Sequence, residues 1–267
     1  MTPSGTVTLL HSFDQITDLS AQPQANLLQA NDGNFYSTAV GCNYFGCATQ
    51  GVIFKITPPG AYTTLQAFDG TNGAYPWPGL VLDTNGTFYG TTNQGGSAND
   101  GVIYSLNNGL KAFVSLGSTS GKQAAKINII GQGFNSSSVV KFGGTQATTV
   151  TRTGTTFLTA TVPAAALTGS VTVTTGTTTL TSLQTFSVKP SLTSFTPPSG
   201  PVGTVVTLTG TELTQATKVT FNGKSATFTV NSDTQITATV PTGATTGKIA
   251  VTTKGGTATS TTSFTVN

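Results

Sequence analysis

Hydrophobic positions in this chain recur mostly with a period of two. In residues 189–267, short runs alternate apolar and polar side chains between clusters of Gly, Pro, Asn and Asp. Such runs fit half-buried β-strands, because successive strand side chains point to opposite faces. Val206 and Leu208 are expected to face one way, and Val205, Thr207 and Thr209 the other. Lys218-Val219-Thr220-Phe221 runs into Asn222-Gly223, a strong hairpin signal. Thr237-Ala238-Thr239-Val240 stops at Pro241, which cannot donate to a central ladder. With residues 249–252 and 263–266 this makes about seven short strands in roughly 80 residues, the pattern of an Ig-like sandwich.

Residues 111–188 repeat that pattern. Ser120-Gly121 matches Ser199-Gly200, and Val140-Lys141-Phe142-Gly143-Gly144 matches Val219-Thr220-Phe221-Asn222-Gly223, both at an offset of 79. Thr159-Ala160-Thr161-Val162-Pro163 matches Thr237-Ala238-Thr239-Val240-Pro241 at 78. Through Ser194-Phe195-Thr196-Pro197-Pro198-Ser199-Gly200-Pro201-Val202-Gly203, Thr209-Gly210, the Asn222-Gly223 hairpin and Val240-Pro241, residues 189–267 resemble the IPT/TIG family. These Ig-like domains often stand in tandem on cell-surface and secreted proteins. Residues 111–188 resemble it too, although Gly117-Ser118-Thr119-Ser120-Gly121-Lys122-Gln123 lacks the prolines of Pro197-Pro198. The resemblance implies a fold and an extracellular setting. It implies no enzymatic activity, since such domains usually act as spacers, adhesion modules or partner-binding modules. The short joint Val188-Lys189-Pro190 is expected to hold the two sandwiches stiffly.

The front of the chain carries a different repeat. Leu10-His11-Ser12-Phe13-Asp14 answers Leu65-Gln66-Ala67-Phe68-Asp69 at an offset of 55. Asn31-Asp32-Gly33-Asn34-Phe35-Tyr36 answers Thr84-Asn85-Gly86-Thr87-Phe88-Tyr89 at 53, and Gly51-Val52-Ile53-Phe54-Lys55-Ile56 answers Gly101-Val102-Ile103-Tyr104-Ser105-Leu106 at 50. A unit of that length is close to one propeller blade. The second copy, from Pro76-Trp77-Pro78-Gly79-Leu80-Val81-Leu82-Asp83 to Gly101-Val102-Ile103-Tyr104, resembles the GloVer tandem repeat of predicted extracellular bacterial proteins. The first departs from it: Ser37-Thr38 stands at Gly90-Thr91, and a cysteine loop replaces the Gly95-Gly96 turn. Closed propellers have about 4–8 blades. Two repeats therefore leave edges and faces that need covering. The expected fold is all-β: two propeller-blade-like repeats (about 1–60 and 61–110), then Ig-like sandwiches at 111–188 and 189–267.

Composition narrows the setting. Charged residues are 7% of the 267, and no apolar run is long enough to span a membrane. MTPSGTVTLL has neither the basic segment nor the apolar core of a signal peptide, so an export signal is expected to lie outside this chain. Residues 1–110 carry six aspartates against Lys55, net −5. Residues 111–267 carry nine lysines and Arg152 against Glu212 and Asp233, net +8. Opposite ends of this kind favour head-to-tail attraction between copies; dispersed lysines that keep a Thr-rich surface soluble give the same count. Cys42 and Cys47 are the only cysteines. They cannot supply a four-ligand zinc site, and a disulfide stapling a small loop is expected in an oxidising compartment.

Candidate chemistry is sparse. His11 is the only histidine, and Gln66 holds its place in the other repeat, which points to an ordinary strand residue. No GxSxG elbow occurs, and Gly131-Gln132-Gly133-Phe134 lacks the third glycine of a dinucleotide loop. Asp14/Asp69 and Asp32/Asp83 occupy turns, where Asp normally accepts from backbone N–H groups. Asn31–Asn34 and Asp83–Gly86 offer calcium-type oxygens but no complete EF-hand pattern. The lysines form no basic run suited to nucleic acid. Aromatics concentrate in the front. Tyr44, Phe45, Tyr75 and Trp77 are the candidate interface or glycan-binding residues, with Pro76 and Pro78 holding the Trp77 ring outward. The function expected first is a non-enzymatic, self-associating surface protein, a fibre or stalk subunit. The alternative is carbohydrate binding through the front aromatics, and a fragment of a secreted hydrolase is a remote third. No cofactor and no membrane span are expected.

Overall fold

In a computed structural model, residues 5–14, 18, 22–41 and 49–267 are described. Cys42, Tyr44, Phe45 and Cys47 lie outside them, and so does the expected disulfide. The described chain is all-β and contains no helix, so none is long and apolar enough to cross a membrane. It divides into two compact units, Met1–Ala112 and Phe113–Asn267.

Among its described residues the first unit holds two antiparallel sheets. One is formed in order by β1 (Leu28–Gln29), β2 (Phe35–Ala39), β3 (Val52–Ile56) and β4 (Tyr62–Ala67). The other is formed by β5 (Val81–Leu82), β6 (Thr87–Thr91) and β7 (Ile103–Asn107). The repeat seen in the sequence is a repeat of register: Leu28 pairs with Tyr36 as Val81 pairs with Tyr89, and Thr38 with Ile53 as Thr91 with Ile103. Each first hairpin turns at a glycine with positive φ, Gly33 at 81° and Gly86 at 87°, a conformation that side chains resist.

The two sheets stack. Tyr36 and Ile53 from the first meet Phe88 from the second in one core, with Leu82, Tyr104 and Leu106 packed against it. The Tyr36 and Phe88 rings lie 4.6 Å apart. The opposite face of the first sheet is also buried, with Phe13 packing against Phe54 at 5.2 Å. His11 is not a strand residue, contrary to the sequence expectation. It lies in irregular chain, pairs with Asp18 (Nε2 to Oδ2, 2.7 Å) and stacks on Tyr62 at 4.4 Å. Gln66 stands in β4, so this part of the repeat is one of sequence without equal structure.

The second unit holds two sandwiches of the same plan. In the first, one sheet runs Val150–Thr153, Phe157–Thr161, Lys126–Ile130, Ser115–Leu116, and faces Thr145–Gln146, Val139–Phe142, Val171–Thr175, Thr178–Thr181. In the second, Ser191–Thr196, Val205–Thr211, Gln235–Thr239 and Phe228–Ser232 form one sheet. Ser199–Gly200, Gly256–Val266, Gly247–Thr253, Ala216–Phe221 and Lys224–Ala226 form the other. As expected from the alternation, Val206 and Leu208 are buried. Phe221 and Phe264 meet edge to face at 5.3 Å, as Phe142 and Phe186 do at 5.1 Å in the other sandwich. Burying each such ring is worth about 1.5–3 kcal/mol. Both hairpins use left-handed pairs, Asn222-Gly223 at 45° and 84° and Gly143-Gly144 at 53° and 95°. Thr174 meets Thr179 at 2.9 Å and Thr252 meets Thr257 at 3.0 Å across neighbouring strands, one use of the abundant threonine.

At the joint, Lys189 N–H donates to Gly121 O (2.9 Å) and Thr168 N–H donates to Gln215 Oε1 (2.9 Å). Gly255 sits against the Val188 carbonyl with no room for a Cβ.

Candidate functional site

Of the four aromatics singled out in the sequence, Tyr75 and Trp77 are described. They lie on the segment that leads into the second sheet, where the chain is Ala74-Tyr75-Pro76-Trp77-Pro78. Pro at two of five positions limits the backbone. Tyr75 takes φ of 57°, rare for a residue with a side chain, and three hydrogen bonds hold it there. Its N–H donates to Gln50 O (2.7 Å), and its carbonyl accepts from Trp77 N–H (2.9 Å) and Asn93 N–H (3.1 Å). Ala74 bridges Gln94 in both directions, and the Pro78 carbonyl accepts from Thr38 Oγ1 (3.1 Å).

Pro76 is buried, Trp77 is 51% exposed and Pro78 is exposed. The Pro76 ring fits because residue 51 is glycine: a Cβ there would collide with Pro76 Cδ. The segment is therefore anchored from Gln50 and Thr38 on one side and Asn93 and Gln94 on the other, with the indole left in solvent. Tyr75 is half-buried, so it is less of an outward platform than its spacing suggests.

A second feature was missed in the sequence. The outer face of the β5–β7 sheet is apolar and uncovered: Val81 is 66% exposed, Tyr89 40% and Ile103 84%. Val81 is opposite Tyr89, Tyr89 opposite Ser105, and Ile103 opposite Thr91, so these side chains share one face. The alternation in β6 and β7 was legible; what covers each face was not.

Burial raises Tyr36 to about 12, helped by its hydrogen bond to Asp32 Oδ2 (2.7 Å). Burial works upward on Asp32, but hydrogen bonds from Tyr36 and Asn34 outweigh it and hold the carboxyl below its usual value. Asp32 is thereby occupied as a turn and hydroxyl acceptor. Among the described residues no three His, Cys, Asp or Glu side chains converge on a metal-sized space.

Residues 190–266 match the family model of the IPT/TIG domain. No curated protein matches the chain. Among solved structures, it is similar to SGBP-B from a complex xyloglucan utilization locus in Bacteroides uniformis, at 21% identity over 57% of this chain and 48% of that one, TM-score 0.28. It is similar to the surface glycan-binding protein PbSGBP-B from Prevotella bryantii, at 18% identity over 60% and 40%, TM-score 0.40. The Bacteroides ovatus mixed-linkage glucan SGBP-B matches at 15% identity over 90% and 54%, TM-score 0.27. The chain spans roughly half of each of these structures, and the likenesses assign it no ligand. The GloVer resemblance of the front repeats has no counterpart in these matches.

Proposed function

We propose that this chain is a non-enzymatic surface protein that binds carbohydrate, with Trp77 as the platform and the two Ig-like sandwiches as a spacer that carries it away from the surface. The observation that supports this reading is the half-exposed indole on a segment pinned at both ends. An indole is amphipathic: its flat face suits the C–H face of a pyranose ring, and its N–H suits a hydroxyl. The pinning matters as much as the exposure. A ring already held in place loses little conformational entropy on binding, so more of the contact energy appears as affinity.

Trp77→Ala is expected to abolish retention of the full chain on insoluble cellulose or chitin, or its retardation in native gels containing soluble β-glucan, while the far-UV spectrum stays unchanged. Loss of one aromatic anchor of this kind costs about 2 kcal/mol or more, some thirtyfold in affinity. Absence of wild-type binding across such a panel removes the proposal.

A further inference from the structure

The two front sheets have the same register but different surroundings. Leu28, Tyr36 and Ile53 of the first sheet correspond by offset and by pairing to Val81, Tyr89 and Ile103 of the second. The first set is covered: Tyr36 and Ile53 are fully buried, and Leu28 packs against the same core. What covers them is the next sheet, through Leu82, Phe88, Tyr104 and Leu106. Among the described residues the second set has no next sheet, and it stands exposed.

We infer that the Val81–Tyr89–Ile103 face is an interface for a second copy of this chain, packed face to face about a two-fold axis. Three observations select that occupant. The repeat itself shows that a face of this register is covered by another sheet of the same kind. In a second copy, the covering type of face is already taken: Phe35, Phe54 and Ile56, the counterparts of Phe88, Tyr104 and Leu106, belong to a second core that Phe13 joins through Phe54. That leaves the uncovered face to meet its own twin, an isologous contact that closes at two copies. Finally, Thr87, Thr91, Ser105 and Asn107 complete the strand face with neutral side chains, and the nearest charge, Asp83, stands at its margin beside Thr87, so like-charge repulsion between copies is confined to the edge.

Size sets the strength. Two strands of five residues and one of two, at about 4.8 Å spacing and about 3.4 Å per residue, give a face of roughly 200 Å². Stable interfaces bury about 800 Å² on each partner. The contact is therefore weak and concentration-dependent, and hydrophobic rather than salt-dependent. This differs from the head-to-tail arrangement suggested by the charge count, and it is independent of the Trp77 reading.

Sedimentation of the full chain from about 1 µM to about 1 mM tests it, a span that brackets weak association. The expected result is a monomer–dimer equilibrium that moderate salt leaves unchanged. Ile103→Asp and Val81→Asp are expected to weaken it at least tenfold, with melting temperature unchanged because both side chains are exposed. Leu9→Asp, an equally exposed apolar site in the same unit at 78%, is expected to leave it intact. A monomer throughout the range overturns the inference. So does growth past the dimer, or equal weakening by Leu9→Asp.

Discussion

Glu212→Gly is expected to stabilise the protein more at pH 8 than at pH 4, by about 1–2 kcal/mol once solvent screening of the carboxyl is allowed for. The Glu212 side chain is 4% exposed, and both carboxyl oxygens are buried without a hydrogen-bond partner. Burial, and then the charge of Asp233, push the carboxyl up from 4.5 to about 7. The unfolded chain releases this proton near pH 4.5, and the folded chain holds it until about 7. The contribution to stability is thus fully present below pH 4.5, is lost as pH rises to about 7, and stays lost above it. Glycine removes the whole pH-dependent part.

The backbone supports the same substitution. Glu212 has φ of 60°, and its counterpart 79 positions earlier is Gly133 at 69°. The fold demands a left-handed residue there. A side chain in that conformation costs about 1–2 kcal/mol, partly offset in Glu212 by its buried methylenes. Asp233 keeps the segment in place, accepting from Glu212 N–H (3.2 Å) and Thr214 Oγ1 (2.8 Å). Urea unfolding of wild type and variant at pH 4 and pH 8 decides the matter. An equal gain at both values contradicts the account.

Phe88→Ala is expected to cost the first unit about 3–5 kcal/mol, a large share of a domain's stability. The ring is fully buried, and it meets Tyr36 at the centre of the only core that holds the β5–β7 sheet to its neighbour among the described residues. That sheet is covered on one face alone, so lost contacts cannot be made good from the other side. Calorimetry should show one transition falling while the other, from residues 113–267, stays in place. Tyr89→Ala, one residue along the same strand but facing outward, should change stability by about 0.5 kcal/mol or less. Similar losses from both variants would mean that the outer face is not free.

The sandwiches were legible because alternation, Asn-Gly and Gly-Gly turns and the Val-Pro stop are local signals that agree with one another. Their paired phenylalanines follow from the same alternation. The front repeat was legible as self-similarity, and its register in the sheets follows the offsets read from the chain. Trp77 was legible because two prolines flank it. The rest of its geometry was not, since the bonds that pin it come from Thr38, Gln50 and Asn93, residues with no sequence mark of that role.

The all-β class, the strand alternation and the turns are local properties, because they depend on side-chain period and on φ at single residues. What each face meets depends on long-range packing. Tyr36 and Tyr89 both end a Gly-X-Phe-Tyr turn and pair at equivalent positions, yet one is buried against Phe88 and the other stands in solvent. Glu212, which enters the sequence reading only through the charge count, is enclosed; His11 reads as a strand residue and is held by Asp18 and Tyr62. Burial is a property of the neighbour that arrives from elsewhere in the chain, and no local pattern encodes whether it arrives.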